Sequence, residues 1–325
     1  MPSSKKQKES IWITVAWALN LAGLGGIAVV AIAYAAFQPA FAAPGESSGP
    51  ISTAALPATF TPDPQSLFLP TITPNPRSTL IVVQTPTPFS LIGGPHSIVI
   101  GYSVSRRPIE VYTFGSGQHQ RMIVAGIHGG YEWNTIALAD ELITYIHDNP
   151  DIIPDDITLY ILRNLNPDGD ARDHSYDGRV NDHGVDLNRN FPTNWAAEWD
   201  REGCWNYGPT TGGTGPASEP ETRALVTFLQ SHKIEVLISY HSAALGVFPG
   251  GEPWAEESIE FAQALADVTD YSFPPLDLGC IFTGTLADYA VERGAVAVDM
   301  ELSTHTQTDF KRNLKALDML LNWGR

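Results

Sequence analysis

The sequence predicts an α/β fold: a single mixed, mostly parallel β-sheet flanked by helices on both faces, preceded by a transmembrane helix and a disordered stalk. Three observations predict it. Apolar strand-like runs recur along residues 96–325, helical runs with apolar side chains at three- and four-residue spacing lie between or after them, and residues 38–95 have neither pattern. The strand-like runs are Ile98–Ser103, Ile109–Phe114, Met122–Gly126, Ile157–Arg163, Ile234–Tyr240 and Ala295–Glu301. The helical runs are Glu132–His147, Glu219–His232, Glu256–Asp270, Thr285–Arg293 and Phe310–Trp323, the last with Leu314, Leu317 and Leu321 at helical spacing. Ligands of such sheets bind in the loops at the strand ends.

The N-terminal part divides into three. Residues 1–10 form a basic tail with Lys5, Lys6 and Lys8, and 11–37 an apolar run of 27 residues from Ile11 to Phe37. At 1.5 Å per helical residue that run reaches about 40 Å, more than the roughly 30 Å of a bilayer core. It is longer than a secretory apolar region, and the lysines are expected to stay cytoplasmic, which places everything after Phe37 outside. The run is read as a signal anchor, with release near Ala42 as the alternative because Ala40-Phe41-Ala42 resembles a cleavage site. Residues 38–95 are a Pro/Thr/Ser-rich linker (Thr61-Pro62, Thr73-Pro74, Thr85-Pro86-Thr87-Pro88), a composition that favours extended, solvated chain. Residues 96–325 hold 15 of the 19 Lys and Arg but 33 of the 36 Asp and Glu, a net charge of −18. Such a domain repels phosphate backbones, which argues against nucleic-acid partners. Two cysteines, Cys204 and Cys280, exclude a disulfide-dense scaffold and a thiolate zinc cluster; in an oxidising compartment they are expected to bridge.

Four stretches could carry chemistry. In Gly126-Ile127-His128-Gly129-Gly130-Tyr131-Glu132 a histidine ends a strand and a glutamate begins a helix, so both could converge on one cation, although a Gly-rich turn with Glu132 favouring the helix N-terminus reads equally well. In Ile238-Ser239-Tyr240-His241-Ser242 a second histidine ends a second strand. Taken alone it reads as a core histidine; paired with His128 and Glu132 it gives three ligands and an open fourth position, the arrangement of catalytic Zn²⁺. The third stretch, Asn166-Pro167-Asp168-Gly169 with Arg179 and Gly184–Pro192, reads as turn chemistry at Asp168 and Gly169, whereas its arginines match carboxylates bidentately. The fourth is Ala297-Val298-Asp299-Met300-Glu301-Leu302, where strand alternation puts Asp299 and Glu301 on one face. Two such carboxylates need water, a partner or a metal.

In this order the stretches resemble the zinc metallocarboxypeptidase family, which includes carboxypeptidases A and B and the bacterial murein peptide amidases. The matching residues run from Ile100-Gly101-Tyr102-Ser103 and Arg107-Pro108-Ile109 through Gly126–His128, Asn166–Gly169, Gly184–Pro192, Ser218-Glu219-Pro220-Glu221-Thr222 and Glu301-Leu302 to the final helix. The resemblance implies one Zn²⁺ per chain, held by His128, Glu132 and His241. It implies Arg179 as the oxyanion stabiliser, Asn188 and Arg189 as the pair that clamps a terminal carboxylate, and Glu301 as the catalytic glutamate. Ser218–Thr222 is read as structural. Two features depart from the family: three residues (Gly129, Gly130, Tyr131) separate His128 from Glu132 where the family has two, and Tyr289 does not align with the mobile tyrosine of the animal enzymes and takes no catalytic role.

The expected activity is zinc-dependent hydrolysis of a peptide bond at the C-terminal end of an extracytoplasmic peptide, either an extracellular peptide or a peptidoglycan stem peptide. Asp299, two residues before Glu301 on the same strand face, is expected to select a cationic end (Lys, Arg or diaminopimelate), unless it pairs with a neighbour such as Arg293. A murein peptide amidase or N-acyl amino acid hydrolase is the alternative on the same fold, and an inactive peptide- or cell-wall-binding module the alternative of another class. The remaining histidines read as surface or loop residues, with His305 close enough to line the pocket.

Overall fold

The computed structural model describes residues 96–324. The apolar run 11–37 and the linker 38–95 lie outside the described residues, and no helix among the described residues is long and apolar enough to cross a membrane.

Seven strands form one sheet: β1 (His96–Tyr102), β2 (Pro108–Gly115), β3 (His119–Val124), β4 (Ile157–Leu162), β5 (Ile234–Ser242), β6 (Val247–Pro249) and β7 (Val296–Leu302), in the order β1-β2-β4-β3-β5-β7-β6. The helices are α1 (Trp133–Asp148), α2 (Pro167–Arg172), α3 (Pro220–Ser231), α4 (Glu256–Thr269), α5 (Leu286–Glu292) and α6 (Phe310–Asn322). The expectation of a mostly parallel sheet needs correction. The four central strands β4-β3-β5-β7 run parallel, whereas β1, β2 and β6 pair antiparallel at the two edges. The physical reason lies in the connections: short turns join β1 to β2, which forces antiparallel pairing, while helical crossovers join the central strands.

Central strands buried on both faces should be apolar throughout, and β4 (ITLYIL) is buried at every position. Alternation sorts the strand side chains between two cores. On one face Ile123, Leu159, Ile238 and Met300 pack with Leu142 of α1, Phe261 of α4 and Leu317 of α6. On the other Met122, Leu162, Leu237 and Ala297 pack with Leu225 of α3 and Leu286 of α5. Helices therefore cover both faces, as the sequence implies.

The chain leaves β3 toward β4 on one side and later enters β5 on the other side of β3. The carboxyl ends of β3 and β5 thus form a switch point, where a crevice opens. His128 and His241 sit there. Two elements escaped the sequence reading. β6 is a three-residue edge strand ending in Pro249, too short for a period to register. α2 was expected as a turn; Pro167 at its first position and the Asn166 side chain, which accepts a bond from Gly169 N at 2.9 Å, make it a capped helix.

Candidate metal centre and substrate cleft

Gly126, at φ +64°, turns the chain out of β3; a Cβ there would lie 2.7 Å from Asn164 Oδ1. The extra residue of the following segment is taken up by a tight 3₁₀ turn over Gly129–Glu132. Gly129 has φ +46°, and a Cβ on Gly130 would lie 2.0 Å from the Asp173 carbonyl oxygen, so both glycines are required. The bulge leaves Glu132 pointing at His128: Nδ1 of His128 lies 2.7 Å from Glu132 Oε1. His241, near the end of β5, places its Nδ1 3.2 Å from Glu132 Oε2 and 3.2 Å from His128 Nδ1. All three residues are buried, and their ligand atoms lie within 4.8 Å of one another.

This trio fits a cation. Two imidazole Nδ1 atoms and a carboxylate converge on one point, away from water. Both remaining nitrogens face carboxylates: Nε2 of His128 lies 3.1 Å from Asp186 Oδ1, and Nε2 of His241 lies 3.5 Å from Asp299 Oδ1. Carboxylates behind ligating histidines fix ring orientation and raise ligand basicity. Two nitrogens, one oxygen and an open position suit Zn²⁺. Burial alone would raise the pKa of Glu132, but the charge and hydrogen bonds of the two histidines outweigh it and hold the carboxyl well below its usual range. For His241 burial would lower the pKa; Asp299 and Glu132 reverse this and push it up to about 10.

Arg179 is buried beside the trio. It donates from Nε to Asp186 Oδ2 at 3.0 Å and from Nη1 to Glu132 Oε1 at 3.3 Å, and its Cζ lies 4.9 Å from the Trp205 ring centroid. Asp186 therefore joins His128 to Arg179. Within Gly184–Pro192 no role for Asp186 follows from the sequence; the signal it carries is its place between Arg179 and Asn188. Burial opposes its charge, yet Arg179 and His128 keep its pKa well below the ordinary value.

Beyond His241 lie the residues expected to bind substrate. Asn188 Nδ2 is 3.4 Å from His241 Nε2 and donates to Asp299 Oδ2 at 3.2 Å, while its Oδ1 accepts from Leu286 N at 2.8 Å. The Arg189 guanidinium is buried between the rings of Trp199 and Phe282, at 5.4 and 5.1 Å. It donates to Asn188 O, but its Nε has no hydrogen-bond partner, and it forms no ion pair with a described carboxylate. A buried guanidinium of this kind is ready for an anionic ligand.

The register of the parallel pair β5/β7 sets Ser239 against Asp299 and His241 against Glu301. Asp299 and Glu301 share a face, as alternation predicts, and that face looks into the crevice. Asp299 does pair with neighbours, as the alternative reading has it, but these are His241 and Asn188 and not Arg293. Burial would raise its pKa; His241, with hydrogen bonds from Asn188 and Ser239, lowers it. Glu301 differs: its Oε2 is buried with no partner, and burial, followed by the charge of Glu132, pushes its pKa up to about 8.

Four further expectations are resolved. Asp168 is a buried anchor instead of a turn residue, accepting from Ser103 Oγ at 2.6 Å, Ser105 N at 2.9 Å and Arg107 Nη1 at 2.7 Å. Turn residues look the same in sequence; the burial that distinguishes this one is tertiary. Glu219 and Glu221 at the start of α3 both accept from Asn181 Nδ2, at 2.8 and 3.1 Å, so Ser218–Thr222 buttresses the loop that carries Arg179. Tyr289 is buried in the core against Phe191. Cys204 and Cys280 form a disulfide that ties the loop bearing Trp199 and Trp205 to the loop bearing Phe282.

The fold and the three-ligand cluster define a zinc peptidase class. A sequence profile described as zinc carboxypeptidase matches residues 95–315, and the chain belongs to that family, whose members are zinc-dependent metallocarboxypeptidases. It is 28% identical over 233 residues to human mast cell carboxypeptidase A, covering 61% of this chain and 55% of that protein. It is 32% identical over 130 residues to murein peptide amidase A of Escherichia coli strain K12, covering 37% of this chain and 48% of that protein. The chain thus spans about half the length of these two relatives. Among solved structures, murein-tripeptide amidase MpaA from Escherichia coli O157 superposes with a TM-score of 0.55 at 23% identity, over 71% of this chain and 93% of that one. Bovine thrombin-activatable fibrinolysis inhibitor, in complex with tick carboxypeptidase inhibitor, gives 0.58 at 20% identity, over 70% and 89%. These likenesses are of fold.

Proposed function

We propose that the protein removes the C-terminal residue from peptides outside the cytoplasmic membrane, with peptides bearing a terminal Lys, Arg or diaminopimelate preferred. The observation that carries the reading is Arg189: a buried guanidinium with no ion-pair partner among the described residues, next in sequence to Asn188, which lies on the far side of His241 from Glu132. A terminal carboxylate supplies the missing anion. Zinc, when bound by His128, Glu132 and His241, supplies Lewis acidity at the scissile carbonyl and lowers the pKa of water.

The chain's own residues do the rest. Glu301 takes a proton from the attacking water and passes it to the leaving amine, a role open to a carboxylate oxygen that has no hydrogen-bond partner among the described residues. Arg179 opposes the charge that develops on the carbonyl oxygen, and Asp186 holds its guanidinium in place. Asn188 and Arg189 fix the terminal carboxylate. Asp299 offers negative charge beside them and favours a cationic side chain. The basic tail and apolar run 11–37 support placing the domain outside the membrane.

The test compares release of terminal Lys, diaminopimelate and Phe from otherwise identical peptides by the parent and by Asp299→Ala. The account expects the parent to prefer the amine-bearing ends and the variant to lose that preference. An unchanged Lys-to-Phe ratio would remove Asp299 from the pocket.

A further inference from the structure

Tyr131 is the last of the three residues between His128 and Glu132, and its ring does not join the core. It lies 5.6 Å from Tyr176, 5.8 Å from Trp205 and 4.8 Å from His305, measured between ring centroids. Tyr176 in turn stacks on Tyr207 at 4.8 Å with an interplanar angle of 8°, and Trp133 stacks on His174. Tyr131, Trp133, His174, Tyr176, Tyr207 and His305 wall a cleft of about 400 Å³. Tyr176 and Tyr207 are 49% and 64% exposed, so their outer faces meet solvent, an unusual place for large aromatic rings without a ligand.

The cleft adjoins the metal centre. Tyr131 precedes Glu132, Trp205 covers Arg179, and His305 Nδ1 lies 3.1 Å from Ser242 Oγ, whose backbone N–H donates to Glu132. Asn188, which Arg189 follows in sequence, and Asp299 lie on the other side of His241. If those three hold the departing residue, the aromatic cleft receives the acyl side of the scissile bond.

Its chemistry narrows the occupant. In a domain of net charge −18, none of the residues lining the cleft is Asp, Glu, Lys or Arg. The occupant is therefore uncharged where it touches the wall. Flat aromatic faces alternate with phenol hydroxyls, imidazoles, Ser175 and Thr306. A ligand with an apolar C–H face and hydroxyls around its rim matches both, and Tyr and Trp supply such mixed contacts. A pyranose ring has that form.

We propose that this cleft binds a neutral sugar ring carried on the acyl side of the cleaved bond, so that the preferred substrate is a glycosylated peptide. The inference rests on the peptidase reading above and adds its substrate class. The test uses the full chain and one peptide ending in diaminopimelate, capped at its N-terminus by an N-acetylmuramoyl, an acetyl or a phenylacetyl group. Binding is measured by calorimetry on the zinc-free protein, and kcat/KM on the zinc-loaded one. The muramoyl peptide should bind roughly tenfold tighter than either other peptide and gain a similar factor in kcat/KM. Tyr176→Ala and Tyr207→Ala, both at exposed positions, should each bring that ratio toward one. Equal binding of the three caps, or a phenylacetyl cap that matches the sugar, overturns the proposal whatever the hydrolysis. Cleavage of none of them with the binding preference intact overturns the peptidase reading and supports the sugar site.

Discussion

Glu301, next to the last residue of β7, has a carboxylate oxygen with no hydrogen-bond partner among the described residues, in a crevice that already holds Glu132 and Asp299. Its folded pKa of about 8 stands above the 4.5 of an unperturbed glutamate, so the folded state binds more protons than the unfolded state between those values. Stability of the zinc-free protein should therefore fall as pH rises through that window. Glu301→Gln removes the ionisation, and in thermal melts of zinc-free protein it should raise Tm relative to the parent at about pH 9 and leave it unchanged at about pH 4. A parent melting curve that rises over the same window would contradict the assignment of Glu301 as a buried, unpaired acid. Arg179→Ala should lower kcat by about 10²–10³, the usual effect of losing one oxyanion donor. A normal turnover would remove Arg179 from that role. At this scale the residues were legible where a side chain repeats a position: His128 follows the end of one strand and His241 lies near the end of another, and Asp299 and Glu301 differ by two. Asp168 and Asp186 were not, because a single aspartate among Asn, Gly and Pro carries the same signal whether it is solvated in a turn or buried against an arginine.

The turn from Gly129 to Glu132 is the element that decides whether the extra residue is tolerated. It keeps Glu132 within reach of both histidines because Gly130 packs directly on the Asp173 carbonyl. Gly130→Ala would put a methyl group 2.0 Å from that oxygen, a backbone atom that cannot rotate away. A cost of about 1–3 kcal/mol is expected from such overpacking. Because the strain falls on the turn carrying Glu132, zinc affinity measured by competition with a chelator should fall with it, whereas Gly215→Ala, with open space at its Cβ, should leave affinity unchanged. Equal affinity in both variants would mean that the turn's geometry is not what places Glu132. Strands and helices with a clear apolar period were readable from the sequence to within a few residues. β6 and α2 were not: one is too short for any period, and the other depends on a cap that only forms once Asn166 meets the Arg179 carbonyl and Gly169.

Over the molecule as a whole, the two-sided packing of helices on one sheet followed from alternation in the central strands, which is a local property. The proportion of parallel pairing did not, because strand direction at an edge depends on whether the connection is a tight turn or a crossover. The site belongs to this scale. Its ligands come from the ends of β3 and β5 and the turn before α1, its arginines and Asp186 from the long loop after α2, and its two acids from β7. No single segment holds the metal, so the cation should bind the folded chain and not the unfolded one. Removing it should lower Tm; saturation at a hundredfold excess over Kd corresponds to about 2.7 kcal/mol. The most direct test of the account is the zinc content of the purified protein together with release of a terminal residue from a peptide ending in Lys, before and after chelation. The account predicts about one zinc per chain, loss of the terminal lysine, and loss of that activity on chelation with recovery when zinc is restored. Absence of bound zinc, or hydrolysis that persists in the chelated protein, would contradict it.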